Sequence, residues 1–566
     1  MSLSSTTRGS HGERLVVKAS ERRAEVVTDV VVISGVWAAL MATFLLLGRA
    51  GYGTGLLVPA LGEDQNWMVL LQASSLRDVA NGFWKLDGRN PLSPWFYILA
   101  RPLIGVPGGI SVLHYLVSLV LGLATYTLLR TLLRGQQRWY VLSVAVVVAL
   151  NQSNAYFDHI IWNFQLALSF TLLTISAFIH FLDSGRRAVW CYGMSLVLWC
   201  AAFETYTLQS GAIVAIAFLT LHRRLKQHAQ DLPAGRAKLL RGLLSDSLEL
   251  APFALLFFMF IMVWTTATPA GAGFTYKFAL SRLVSSVAAG IAHPDHRLMF
   301  QVLSLSSFAL IYVCVSIVFA MAAAVLIGLV SRSNQQRSIA REEILLAIAI
   351  IVAISLPTII LEAGGVDWPP GSRWRMIYQL TMPVLVMSLV LICGSNVSAR
   401  FAHRIAALAL FALLTVSVCF ALAHKERQVT LAKSEAKVRL AIQNALSSFS
   451  KPRPKLFVLL QTESSFYWFA SESLREIYMR AWFPGERIEY RILADARHVA
   501  SNPSRVVFTA EGLRSGGAAD TAVPYQDVVL LKASGDGVFR QFELSREEAI
   551  SHNGQWQLEA DRIILQ

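Results

Sequence analysis

Glu63 and Asp64 are adjacent acids lying shortly beyond the first apolar stretch, in the run Gly62-Glu63-Asp64-Gln65-Asn66-Trp67. A carboxylate at a lipid surface can take a proton from a sugar hydroxyl or bind a metal. Acids beside a membrane are costly to desolvate, and so apolar a chain has no evident structural need for a pair there. Neighbouring acids at a low-dielectric surface also raise one another's pKa, which suits a general base. The structural alternative is a helix N-terminus, where the dipole stabilises acids. It explains one acid better than two.

Other residues carry chemistry in the same loops. Glu204, in Ala202-Phe203-Glu204-Thr205-Tyr206, has no basic residue near it in sequence and sits between two apolar runs. An ionisable group there is a functional candidate, or a hairpin-tip acid solvated by headgroups. Asp158 and His159, with Trp162, occupy another turn. His293-Pro294-Asp295-His296 resembles a metal-ligand cluster, but Pro294 breaks helical spacing and no third or fourth ligand can be assigned. Those histidines are read as solvated loop residues, and no metal site is assigned. Lys277 and Arg282, then Arg373 and Arg375, place cations in two later loops. Arginine grips phosphate through its forked donors; snorkelling anchors are the alternative. Trp374 and Tyr378, with Trp368, surround the second pair and could stack on sugar faces or form an interfacial belt.

The elements that position these residues are membrane spans. With 55% hydrophobic and only 15% charged residues, most of the chain belongs in a bilayer. Apolar stretches begin near Val30, Gly109, Trp139, Ile160, Ala188, Thr205, Leu248, Val302, Ile344, Ile377 and Ile405. That makes about eleven spans, several of them short or interrupted by polar residues. The first lacks a small-residue cleavage site and is read as a retained span.

Orientation follows from the basic residues. Groups occur at Arg8 to Arg23, at Arg130, Arg134 and Arg138, and at Arg186 and Arg187. Further groups fall at Arg223 to Arg241, at Arg332, Arg337 and Arg341, and at Arg400 and Arg404. Each neighbouring pair of groups is separated by two spans, as a cytoplasmic set should be. The N-terminus is therefore expected inside and the C-terminal segment outside. The net charge of +14 reflects this loop bias and attraction to anionic headgroups, not nucleic-acid binding. All cysteines fall in expected spans and none has metal-type spacing.

The fold class expected is a polytopic α-helical membrane protein of about eleven spans with a small C-terminal extracytoplasmic α/β domain. Residues 1–28 form a basic cytoplasmic tail and 29–424 the membrane domain, with an outer loop over 49–108. In that loop Trp67, Leu70 and Leu71, then Leu76, Val79, Ala80 and Phe83, recur at helical spacing, as in a helix lying in the membrane interface. Residues 425–566 form the exported domain. Its opening segment, 425–449, reads as an amphipathic helix. Strands are expected at Leu456–Leu460, Ile488–Leu493, Val506–Thr509 and Val528–Leu531, and a helix near Ser471–Trp482.

This arrangement resembles the GT-C superfamily of integral-membrane glycosyltransferases. The resemblance rests on a cytoplasmic N-terminus, one span, a long outer loop with an acidic pair opening a surface helix, and short hairpin spans. Arg375-Met376-Ile377-Tyr378, with Pro383 five residues on, looks like the Arg-Tyr-then-Pro signature of bacterial members. The likeness covers roughly residues 25–424. It implies a polyprenyl-phosphate-linked sugar as donor and inverting transfer to a hydroxyl of an envelope glycan, lipid or protein at the outer face of the cell (inner) membrane. It implies Glu63 or Asp64 as base, and Arg375, Arg373, Lys277 or Arg282 against the leaving phosphate. Glu204 and Asp158 would line the sugar site, with His159, Trp162, Tyr206, Trp374 and Tyr378 as further substrate contacts. Some members use a divalent metal; nothing in this sequence demands one. No nucleotide-binding motif appears, in keeping with a donor already activated on a lipid.

Two rivals make different demands. A transporter or flippase for lipid-linked glycans needs charges at mid-membrane depth, whereas the candidates here cluster on one side. A structural subunit of an assembly machine would leave substitutions at Glu63, Asp64 and Arg375 silent.

Overall fold

The structure is a computed structural model that describes residues 7–55, 99, 101–103, 106, 108–133, 137–151, 161–205, 211–230, 236–267, 279–291, 303–304, 306–331, 341–364, 374–395, 398–447, 455–461, 489–493, 506–509, 512–515, 528–533, 539–542, 556–559 and 562–565. It divides into two compact units, one of Met1–Leu57, Ala80–Leu103 and Ser111–Arg427, the other of Val58–Val79, Ile104–Ile110 and Gln428–Gln566.

The first unit is helical. Its principal helices are α1 (Thr7–Arg49), α2 (Gly109–Leu132), α3 (Arg138–Leu150), α4 (Ile161–Asp183), α5 (Val189–Thr205) and α6 (Gly211–Gln230). They continue with α7 (Arg236–Ala267), α8 (Leu280–Ile291), α9 (Ala309–Ser331), α10 (Arg341–Gly364), α11 (Trp374–Ser395) and α12 (Ala399–Ser447), whose residues from Gln428 on belong to the second unit. Every apolar stretch anticipated from the sequence falls in or beside one of these. Among the described residues, seven helical segments are long and apolar enough to cross a membrane, and Arg138–Leu150 and Val189–Phe203 are shorter apolar helices. The chain is a multi-pass membrane protein. A count of eleven crossings goes beyond these seven.

Two helices overrun their expected bounds. Helix α1 begins at Thr7, inside the basic tail, and α12 runs on through the segment expected to be a separate amphipathic helix. Residues such as Glu21, Arg22, Arg23, Glu25, Lys433, Glu435 and Lys437 are good helix formers, so nothing in composition stops either helix at the membrane boundary.

Helix α3 explains how the bundle is centred. All of Arg138–Leu150 is buried, which is why its sequence is apolar all round rather than on one stripe. It packs against α1, α9 and α11. Small residues let α2 approach it: a Cβ on Gly122 would lie 2.6 Å from the Ala149 Cβ. With no hydrophobic drive between helices in lipid, such close backbone approach is a main source of cohesion. Helices α4 and α5 form a tight hairpin, and α6 packs on α10.

The second unit contains the strands. A four-stranded sheet has the order β2-β1-β5-β6, with β1 (Lys455–Gln461), β2 (Glu489–Leu493), β5 (Val528–Ala533) and β6 (Phe539–Phe542). Strand β1 runs parallel to both β2 and β5, and β6 is antiparallel to β5. Two hairpins pair β3 (Val506–Thr509) with β4 (Gly512–Ser515) and β7 (Trp556–Glu559) with β8 (Arg562–Leu565). All four expected strands are present. The helix expected near Ser471–Trp482 lies outside the described residues.

Candidate functional site

Buried polar contacts sort the helix ends of the first unit into two sets. At one end Asp29 of α1, fully buried, accepts hydrogen bonds from Arg138 of α3 at 2.7 Å and from the Tyr126 hydroxyl of α2 at 2.8 Å. Arg130 of α2 reaches Asp29 at 3.4 Å and Glu25 at 3.5 Å. A second cluster joins α4, α6, α7 and α10. Asp246 accepts from Arg186 at 2.7 Å and Arg224 at 2.6 Å, Arg223 pairs with Asp183 at 2.8 Å, and Lys226 with Glu342 at 2.7 Å. These basic residues are the ones whose sequence positions mark a common side. The Glu342 carboxyl is held below its ordinary range, first by the hydrogen bond from Lys226 and then by that residue's charge.

The opposite end is fixed by amides and hydroxyls. Gln379 of α11 donates through Nε2 to the Ser118 Oγ of α2 and to the Val148 carbonyl of α3, both at 2.8 Å. Its Oε1 accepts from Gln165 Nε2 of α4 at 2.6 Å, and both glutamines are buried. Further along, the Tyr140 hydroxyl of α3 meets Ser388 Oγ of α11 at 2.7 Å. Between the two α3–α11 contacts the rise is about 12 Å on one helix and about 13 Å on the other, so they fix one antiparallel register. Pro383 lies inside α11 and supplies no amide for the Gln379 carbonyl one turn back.

From Gln165 to Asp183, α4 travels about 27 Å, most of the hydrocarbon thickness. The Gln165–Gln379 layer is thus displaced from the ion pairs, by about 15 Å along α3 from Arg138 to Val148 and further along α4. On that side Lys425 of α12, almost fully buried, donates to Ser111 Oγ at 3.3 Å, with Nζ 5.1 Å from the Tyr115 ring centre. Glu426 accepts from the Ser306 hydroxyl, and the Tyr312 hydroxyl donates to the Tyr52 carbonyl at 2.6 Å.

The expected site residues divide by what is described. Glu63, Asp64, Asp158, His159, Tyr206, Lys277 and Arg373 lie outside the described residues, as do Trp368 and the His293–His296 run. Trp162, Glu204, Trp374 and Arg375 are placed by their backbones alone: Trp162 in the first turn of α4, Glu204 in the last turn of α5, and Trp374 and Arg375 opening α11. Tyr378, half-buried, immediately precedes Gln379. The α4–α11 lock therefore brings together the helix ends that carry Trp162, Trp374, Arg375 and Tyr378. Arg282 is half-buried on α8, which packs against α10 and α11. Among the described residues no group of three His, Cys, Asp or Glu could hold a metal ion.

Asp29, Gln165, Gln379, Lys425 and Glu426 were not singled out from the sequence. Their signal was present. Each is a polar residue in or beside an apolar run, and such residues in a membrane helix face partners.

No protein-family model and no curated protein matches the sequence. Among solved structures the chain is similar to ArnT from Cupriavidus metallidurans in its apo state: 11% identity over 88% of this chain and 93% of that one, TM-score 0.35. It is similar also to ArnT from Cupriavidus metallidurans bound to undecaprenyl phosphate, at 12% identity with the same coverage and TM-score 0.34. At these values the likeness assigns neither a residue role nor a substrate to this chain.

Proposed function

We propose that this chain is an integral-membrane glycosyltransferase that moves a sugar from a polyprenyl-phosphate carrier to an acceptor hydroxyl on the outer face of the cell membrane. One observation carries the reading: the ends of the helices are chemically sorted. One end is tied by arginine–carboxylate pairs within the basic groups that define a cytoplasmic side by the positive-inside rule. The other end carries Arg375 and the aromatic positions beside it. The ions described above lie at the two ends, buried Asp29 and Asp246 at one, buried Lys425 and half-buried Glu426 at the other. A carrier of lipid-linked glycans needs such groups midway.

In this reading the N-terminus is cytoplasmic and residues 425–566 are extracytoplasmic. Glu63 or Asp64 accepts the proton of the acceptor hydroxyl as its oxygen attacks the anomeric carbon. The bond from that carbon to the phosphate oxygen breaks, configuration inverts, and the polyprenyl phosphate departs with the bonding pair. Arg375, with Arg373, Lys277 and Arg282, offsets the charge that develops on the phosphate, the electrostatic task that usually contributes most. Glu204, Asp158, His159, Trp162, Tyr206, Trp374 and Tyr378 are assigned to the sugar. A divalent metal is optional in this scheme.

The test is a reconstituted assay. Wild type and Arg375→Gln in proteoliposomes receive a panel of labelled polyprenyl-phosphate hexoses and pentoses with a membrane extract as acceptor. Wild type should release polyprenyl phosphate from one of them, and Arg375→Gln should be at least about tenfold slower. Equal rates would remove Arg375 from the site, and no release from any donor would remove the reaction.

A further inference from the structure

In the sheet of the second unit a lysine and an arginine share one row where the topology favours a ligand. Strand β1 has β2 on one side and β5 on the other, and both run parallel to it. The chain therefore leaves β1 for one neighbour and later returns to the opposite one. In open α/β sheets the crevice outside the carboxyl ends of two such strands, where the order reverses, is where ligands bind. Here those strands are β1 and β5.

Register puts three polar residues there. Gln461 closes β1 and pairs with Lys532 of β5, and Lys532 pairs with Arg540 of β6. The three share one row across three strands and hence one face of the sheet. The next row on that face is Leu493, Leu459, Leu530 and Phe542. At the amino end of β1, Lys455 pairs with Glu489, so charge is balanced in register there. At the carboxyl end the register instead pairs a lysine position with an arginine position. A cation on the edge strand β6 guards against pairing with other chains, which accounts for Arg540. It does not account for Lys532, on an interior strand.

We propose that the row Gln461–Lys532–Arg540 is a binding site for a phosphate group. Two cationic residue types at neighbouring register positions, one with a forked guanidinium, and an amide suit its oxygens. The phosphate can be free or a lipid headgroup. The site is independent of the transfer reaction proposed above.

The experiment uses the full chain in phosphatidylcholine nanodiscs, titrated calorimetrically with inorganic phosphate against chloride at constant ionic strength. Lys532→Gln/Arg540→Gln should weaken phosphate binding at least tenfold, and Lys455→Gln should leave it unchanged. In phosphatidylglycerol nanodiscs the phosphate signal disappears if headgroups occupy the row and persists if free phosphate is the ligand. Arg540→Gln alone repeats the test should the double variant fail to fold. No phosphate binding by wild type in phosphatidylcholine, or equal binding by wild type and variants, overturns the proposal.

Discussion

The side-chain amide of Gln165 donates to that of Gln379 at 2.6 Å, deep between α4 and α11. Gln379 also reaches α2 and α3, so one residue holds four helices at the end where the candidate phosphate and sugar residues begin. Replacing it with leucine leaves Gln165 Nε2, the Ser118 hydroxyl and the Val148 carbonyl without this partner. Gln379→Leu should cost about 1–3 kcal/mol. Denaturant unfolding in mixed micelles measures it.

Asp29 is fully buried, and Arg138 nearly so. Asp29→Asn leaves two arginines facing a neutral amide, and breaking such a buried pair costs about 3–5 kcal/mol. Asp29→Leu combined with Arg138→Met should recover most of the loss, since the more buried arginine is then gone and Arg130 keeps Glu25 at 3.5 Å. A double-mutant cycle in the same micelles shows whether the recovery occurs.

Gly122 sits where α2 crosses α3. A methyl group there meets Ala149 Cβ at 2.6 Å and the Ala145 carbonyl oxygen at 2.9 Å, so one helix must move. Gly122→Ala should destabilise by about 1–3 kcal/mol despite alanine's better helix propensity. Gly193, with nothing within 4 Å of an added Cβ, is the control, and Gly193→Ala should be neutral or stabilising.

Glu342 is exposed, and its carboxyl is held below the ordinary range by the Lys226 hydrogen bond. A lowered folded-state pKa stabilises above the unfolded value and ceases to do so as pH falls through the folded value. The melting temperatures of wild type and Glu342→Gln should therefore differ slightly at neutral pH and converge below about pH 4.

Spans were legible because lipid demands long apolar runs; Arg130, Arg138, Arg186 and Arg224 were legible as members of basic groups, whereas their partners Asp29 and Asp246 were not. The strands of the four-stranded sheet were legible where β-branched and aromatic residues cluster, as in Lys455–Gln461, whereas the Arg540 strand, short and polar, was not. The start of α1 and the continuity of α12 from the last span through the 425–449 helix were not legible, because no proline or glycine marks the boundary where hydropathy falls. Gln165 and Gln379 were illegible as a pair. They are far apart in sequence, and each alone looks like a polar interruption of a span.

Sugar transfer by Glu63 or Asp64 is the centre of this account, and the Glu63→Gln/Asp64→Asn double variant tests it most directly. Both proteins are reconstituted with the labelled polyprenyl-phosphate sugar that wild type consumes, and product is counted per turnover. The double variant should retain donor binding while transfer falls by at least about a hundredfold, the share owed to a general base. Transfer at the wild-type rate would contradict the mechanism.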